Sequence, residues 1–270
     1  GAPAPFPALV AAADATERLR VGTLVLNVPF WNPALLAREV ATTDILTDGR
    51  YEWGVGRGHG WIPEKAGVPL DETARPRYEE AVDLLFEALG SERFSHHGEY
   101  FEVGDSHIVP FPERKFRIYL GGTSDRTYTL AAEHGWGVAV PPLLPYVALE
   151  KQLDLYRSSC AEFGTEPDIV WIHACYIDED REVAKREAEK WMVGFLQGNA
   201  SPLTEYDPPP ADELNAAGYG FYTAGILEKL AQTPYDAMID GDIVWVGTPS
   251  DVIERIEGVR ELCAGLTEIS

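Results

Sequence analysis

The chain has 270 residues, 45% of them apolar and 24% charged, the composition of a globular protein with a sizeable core. Acidic residues outnumber basic ones 44 to 22, and the formal charge of −22 sets up a field that repels nucleic acid and anionic membrane. No apolar run reaches the roughly 18 residues of a membrane span, and no basic start followed by an apolar stretch marks a secretory leader, so a cytoplasmic protein is expected. Cys160, Cys175 and Cys263 are too few and too scattered for a disulfide framework or a zinc site, and read as buried thiols.

Strand and helix alternate along the chain. Phe6 to Thr16 is an alanine-rich helix, and Leu19 to Val28 is a nearly continuous apolar run, as in a strand buried on both faces. Asn32-Pro33 opens a helix from Ala34 to Ile45, and Tyr51 to Gly56 is the next strand. A glycine-rich segment, Arg57 to Trp61, and a loop to Asp71 precede an amphipathic helix from Arg77 to Leu89. Phe94 to Val103 reads as a hairpin around His97-Gly98, Arg117 to Gly121 as a strand, Ser124 to His134 as a helix and Gly135 to Val140 as a strand. Tyr146 to Phe163 is helical, Asp168 to Ile177 is one strand, and Asp180 to Leu196 is a charged helix. Gly198 to Pro210, rich in Pro, Asn and Ser, reads as a loop, with weak helix following to Gln232. The last elements are a helix from Pro249 to Cys263 and a strand beginning at Leu266.

This alternation predicts a parallel sheet, either doubly wound or a (β/α)8 barrel, and periodicity does not separate the two. Glycines at strand ends, as in Gly54-Val-Gly56 and Leu120-Gly-Gly122, lean towards the barrel, where such ends converge on one site.

The strongest local signal is Ile118-Tyr-Leu-Gly-Gly-Thr-Ser-Asp-Arg-Thr127. A strand ends in two glycines, then hydroxyl residues, then a helix; free N–H groups at a helix start attract phosphate. Thr123, Ser124 and Thr127 can each donate a hydroxyl, although an ordinary capped turn has the same look. The second signal is Arg57 between glycines at a strand end, a candidate anion ligand in so acidic a chain, set against the commoner surface ion pair. His96-His97 lie in a strand, point to opposite faces and lack a third ligand, so a structural hairpin is preferred to a metal site. Of the remaining histidines, only His59 sits in a loop expected to face the site. Trp31, Trp61, Phe221 and Tyr222 are aromatics able to line an apolar pocket or simply to pack.

With these residues in place the chain resembles the bacterial luciferase-like flavin monooxygenases, a (β/α)8 barrel family. The likeness runs in family order through Ala15 to Val25, Asn32 to Asp44, Asp48 to Gly58, Arg77 to Ala81, His97 to Phe101, Ile118 to Thr127, Ala131 to Gly137 and Val246 to Pro249. It implies one TIM-barrel domain over 1–270, with the family's first two strands lying before Gly1 and the eighth cut short after Leu266. A lid-like insertion is expected around 198–240, with Tyr219, Phe221 or Tyr222 reaching the pocket.

The resemblance also implies function: a monooxygenase using reduced FMN, supplied by a flavin reductase, and dioxygen to oxidise a small organic substrate. Asn27, Arg57, Gly121, Gly122, Thr123, Ser124 and Thr127 would bind the cofactor. Asn27 ends a strand that runs beside the flavin and in many members carries a cis peptide. Phe30, His59, Trp61 and Tyr222 would form the substrate pocket; no catalytic residue and no metal ligand is assigned. The alternatives are a deazaflavin-dependent hydride transferase and a non-catalytic partner subunit. A homodimer is expected. The acidic balance favours FMN, because a polyglutamate-tailed deazaflavin needs a basic groove.

Overall fold

The computed structural model describes residues 4–58, 67–112, 114–141, 146–205, 209–223, 225, 229 and 232–269, the backbone alone at 146, 147, 195–205, 221 and 222. In chain order the first elements are α1 (Pro5–Asp14), β1 (Val21–Asn27), a 3-10 turn (Val28–Phe30), α2 (Pro33–Leu46), β2 (Tyr51–Gly56) and α3 (Ala74–Gly90). Next come β3 (Phe94–His97), β4 (Glu102–Ser106), β5 (Ile118–Gly121), α4 (Asp125–His134), β6 (Gly137–Val140), α5 (Tyr146–Phe163), β7 (Ile169–Trp171) and β8 (Cys175–Ile177). The last are α6 (Arg181–Glu205), α7 (Ala211–Ala216), α8 (Gly220–Thr223), α9 (Tyr235–Asp240), β9 (Trp245–Gly247), α10 (Pro249–Leu262) and β10 (Leu266–Ile269). The chain forms two compact units, one of Gly1–Tyr119 with Asp212–Gly218, the other of Leu120–Ala211 with Tyr219–Ser270.

In the first unit the strand order is β1-β2-β5. β1 and β2 are parallel, with Val21 opposite Tyr51 and Asn27 opposite Gly56. The register shifts between Thr23 and Leu26, where the Leu24–Val25 peptide is cis. Every residue of β2 except Glu52 is buried, as a strand covered on both faces requires. Asn32 starts α2 by accepting the Leu35 N–H at 3.1 Å, and the helix buries Leu36, Ala37, Val40 and Ala41 against α3. Asp44, buried on α2, takes Arg114 at 2.5 Å, and the same guanidinium donates to the Tyr51 carbonyl at 2.6 Å, so the buried charge is paired.

The β3–β4 hairpin is fastened to α3 by two carboxylates of that helix, Glu80 and Glu87. Glu80 accepts the N–H groups of Glu99, Tyr100 and Phe101 at 3.0, 2.9 and 2.7 Å. Burial opposes its charge, but these donors together with His96 outweigh burial and hold it below the usual carboxylate range. His96 lies 2.8 Å from Glu87 and 3.4 Å from Glu80; burial alone would lower its pKa, and the two carboxylates raise it.

In the second unit β6, β7 and β10 follow in that order and are parallel, and β8 pairs separately with β9. The Tyr156 hydroxyl on α5 donates to the Trp136 carbonyl at 2.7 Å and accepts the Asp168 N–H at 3.1 Å, tying the entries of the two strands that α5 connects. α4 ends at Gly135, whose φ of 65° is the left-handed turn that glycine supplies freely. α10 begins with a reciprocal cap: Thr248 accepts the Asp251 N–H and Asp251 accepts that of Thr248.

Three expectations are corrected. The run Asp168 to Ile177 is two strands of different sheets, β7 and β8, because a continuous apolar run carries no mark of where pairing changes partner. Residues 198–205, expected as loop, continue α6; Ala184, Ala188 and Met192 seat that helix in a core with Val244 and Val246, and the breakers after Gly198 do not end it. Cys175 is exposed rather than buried, while Cys160 and Cys263 are buried. The strand β9 escaped the sequence reading because three residues are too few to show a period.

Candidate cofactor site

The exit from β5 is built for close approach. Leu120 is buried, Gly121 and Gly122 follow, and Thr123, Ser124 and Thr127 are half-buried. Ser124 has the extended backbone of an N-cap, yet its hydroxyl caps nothing; it lies 3.0 Å from the Thr127 hydroxyl, while the Thr127 N–H bonds the Ser124 carbonyl at 2.9 Å. A Cβ on Gly122 would sit 2.7 Å from Thr127 Oγ1, so glycine is what lets that hydroxyl lie over the turn. Two hydroxyls thus cluster over a Gly-Gly exit at the positive end of a ten-residue helix. The one acid of that first turn, Asp125, is faced by Lys151 at 3.3 Å, and Arg126 meets Glu133 at 2.8 Å. This cradle fits a phosphate monoester: rotatable hydroxyl donors, a helix start and no side chain on the two glycines.

The exit from β2 is different. Asn27 stands opposite Gly56, and its side chain lies 3.0–3.2 Å from where a Cβ on Gly58 would be; Gly58 has φ +81°. Arg57 is engaged by backbone. Its Nη1 donates to the Ala217 carbonyl and its Nη2 to the Gly218 carbonyl, each at 2.7 Å. Arg75, in the first turn of α3, adds a 3.3 Å bond to the same Gly218 oxygen. Leu214 and Ala217 are buried here, so residues 212–218 are fastened to this unit by an apolar pair and two guanidinium groups.

Of the expected pocket residues, Phe30 is 40% exposed beside the end of β1. His59 and Trp61 lie outside the described residues, and Tyr222 is described by backbone alone, in α8. Trp31 packs edge-on against Phe6 at 5.4 Å. Among the described residues no group of three His, Cys, Asp or Glu side chains could hold a metal ion, and no helix is long and apolar enough to cross a membrane.

One feature of the second unit went unread in the sequence. A cavity of about 880 Å³ is lined by Trp171, His173, Ile239, Trp245, Arg255 and others. His173 Nδ1 accepts from Trp171 Nε1 at 3.3 Å, and its ring lies 4.2 Å from that of Trp245. Burial, and then the charge of Arg255, push its pKa down to about 4, so the imidazole is neutral at pH 7 with its proton on Nε2. Its partners lie up to some eighty residues away, beyond any local pattern.

A model of the luciferase-like monooxygenases matches residues 1–265. The chain belongs to that family. The oxygenase component of a flavin-dependent trigonelline monooxygenase from Acinetobacter baylyi is 28% identical over 240 residues, 84% of this chain and 66% of that protein. An F420-dependent glucose-6-phosphate dehydrogenase from Microbacterium testaceum is 33% identical over 173 residues, 63% of this chain and 52% of that one. The chain therefore spans about half to two thirds of the length of these relatives. Among solved structures, the FMN complex of the oxygenating constituent of 3,6-diketocamphane monooxygenase from Pseudomonas putida superposes with a TM-score of 0.74 at 20% identity, over 99% of this chain and 76% of that one. The luciferase-like chain thus has an α/β fold of the (β/α)8-barrel type, in a family that includes flavin-dependent and F420-dependent oxidoreductases.

Proposed function

We propose that this chain is a flavin-dependent monooxygenase that receives reduced FMN from a separate reductase and, with dioxygen, oxidises a small organic molecule. The observation that carries the reading is the β5–α4 turn, where Ser124 and Thr127 hydroxyls gather over Gly121-Gly122 at a helix start. There the hydroxyls of Thr123, Ser124 and Thr127 donate to the phosphate, and the two glycines admit it to backbone distance. The family resemblance alone makes Arg57 a phosphate ligand and Asn27 a neighbour of the flavin ring in this proposal. When bound, the reduced flavin supplies the electrons and the activation of oxygen. The chain's own work is to hold that group in one orientation and to keep water from it. The name of the Acinetobacter relative, an oxygenase component, supports a reductase partner.

A second reading, hydride transfer with a deazaflavin, is favoured by the F420-dependent relatives. Charge weighs against it: the formal charge is −22, and the cations beside the turn, Arg126 and Lys151, each face a carboxylate, which disfavours a polyglutamate tail. Equilibrium titration with FMN, reduced FMN and the deazaflavin, together with oxygen uptake on reduced FMN, tests the choice. Tenfold tighter binding of the deazaflavin, about 1.4 kcal/mol, with no oxygen uptake, overturns the monooxygenase reading.

A further inference from the structure

The Ala217 and Gly218 carbonyls meet Arg57 as a pair. Each takes one of the two terminal nitrogens of the guanidinium at 2.7 Å. Two oxygens set side by side against Nη1 and Nη2 reproduce the end-on fork that a phosphate or carboxylate offers the same group. The turn is positioned for this task. Gly218 has φ +75°, a conformation that other residues seldom adopt, and it aims its oxygen at two arginines at once. Arg75 adds the 3.3 Å bond to that oxygen from the first turn of α3, where a cation opposes the helix dipole, with Glu79 3.8 Å away. Leu214 and Ala217 are buried beneath the turn, so residues 212–218 are docked rather than merely adjacent.

We infer that Arg57 is an exchange point: the Ala217–Gly218 turn and a phosphomonoester dianion compete for its terminal nitrogens, with Arg75 biasing the competition towards the turn. The inference rests on the reading that Arg57 holds the cofactor phosphate, and adds to it a conformational consequence. A ligand that takes Arg57 by its end-on face loosens residues 212–218; a ligand without a phosphate leaves them docked. Arg75 is here a positioning residue for the turn and not a phosphate ligand. Removing it weakens the turn's hold on Arg57 and so raises the fraction of molecules whose guanidinium is open to phosphate.

Two measurements on the purified chain test this, amide hydrogen exchange over residues 212–218 and affinity for FMN against riboflavin. In the unaltered protein, FMN and high inorganic phosphate should speed exchange across 212–218, and riboflavin should not. Arg75→Gln should tighten FMN about two- to tenfold, the worth of one hydrogen bond, and leave riboflavin unchanged. Gly218→Ala should act in the same direction while leaving both arginines in place. Its Cβ would fall 2.8 Å from Arg75 Nη2 in a backbone conformation that alanine resists. Arg75→Gln weakening FMN as Arg57→Ala does would overturn the exchange, because both guanidinium groups would then be holding the phosphate. Exchange over 212–218 that ignores FMN while Arg57→Ala still weakens it selectively would also overturn the inference and leave the phosphate reading standing. If Arg57→Ala weakens FMN no more than riboflavin, the phosphate reading itself fails, and the exchange with it.

Discussion

The turns that leave β2 and β5 begin alike, as glycine-rich exits from buried strands, and are finished in opposite ways. After β5 the polar groups are neutral hydroxyls, and those of Ser124 and Thr127 lie 3.0 Å apart. After β2 the polar group is a full charge, and a turn 160 residues further along the chain supplies two oxygens to it. The contrast follows from what each group costs when left alone. A half-buried hydroxyl is satisfied by a neighbour of its own kind, whereas a half-buried guanidinium in a crowded interior draws acceptors from wherever the fold can bring them. A charged candidate ligand is therefore the one more readily borrowed by the fold.

The largest expected effect falls on the charged side. Losing a charge-assisted bond to phosphate costs about 1.5–3 kcal/mol. Arg57→Ala should weaken FMN at least tenfold on that basis, and leave riboflavin nearly untouched. Calorimetric titration of both ligands gives the ratio; an equal loss for the two would reduce Arg57 to a structural clamp and erase the contrast.

On the hydroxyl side, Gly122→Ala puts a methyl 2.7 Å from the Thr127 hydroxyl. Overpacking of this kind costs about 1–3 kcal/mol, and here it should appear as a lower denaturation midpoint together with weaker FMN binding. Thr127→Val keeps the shape and removes the hydroxyl. It should lower stability by no more than the Ser124–Thr127 hydrogen bond and lower FMN affinity by that of one neutral hydrogen bond, about 0.5–1.5 kcal/mol in each case. If Thr127→Val leaves FMN affinity unchanged, the hydroxyls are mere packing.

The smallest effect separates the two units by pH. The pKa of His96 is raised in the folded chain, so its contribution is present in full below the unfolded value near 6.5 and is lost as pH rises through the folded one. His173 is lowered to about 4, so the second unit loses stability as pH falls from about 6.5 towards 4, where the unfolded chain binds a proton that the folded one refuses. Hydrogen exchange should therefore quicken at Glu99 to Phe101 above neutrality and around β9 in mild acid. His96→Gln should abolish the first trend alone, and a trend of the same sign in both places would contradict the assignment.

Local signals were legible where one stretch of chain settles its own structure. Tyr51–Gly56 and Tyr146–Phe163 have the bounds the sequence suggested, and Asn32-Pro33 marked the start of α2. The glycines and hydroxyls from Gly121 to Thr127 lie together at a helix start, as their spacing implied. What could not be read depends on distant partners. Nothing near Arg57 announces Ala217 and Gly218, nothing near His173 announces Trp245, and the division of Asp168 to Ile177 into two strands is set by β10 and β9, which follow much later. Periodicity reports which side of an element is buried, not by what.

The two bonds of the Tyr156 hydroxyl have a kinetic side. They join Trp136 and Asp168, the entries of β6 and β7, through the helix that links those strands, so the tie closes within one contiguous stretch of about thirty residues. A unit that completes its own cross-strand bracing needs no distant segment to arrive first, and such low-contact-order pieces are where folding nuclei form. The β6-α5-β7 unit is thus the expected starting point of the second unit's assembly. Tyr156→Phe should slow refolding by nearly the whole of its stability loss and leave unfolding almost unchanged.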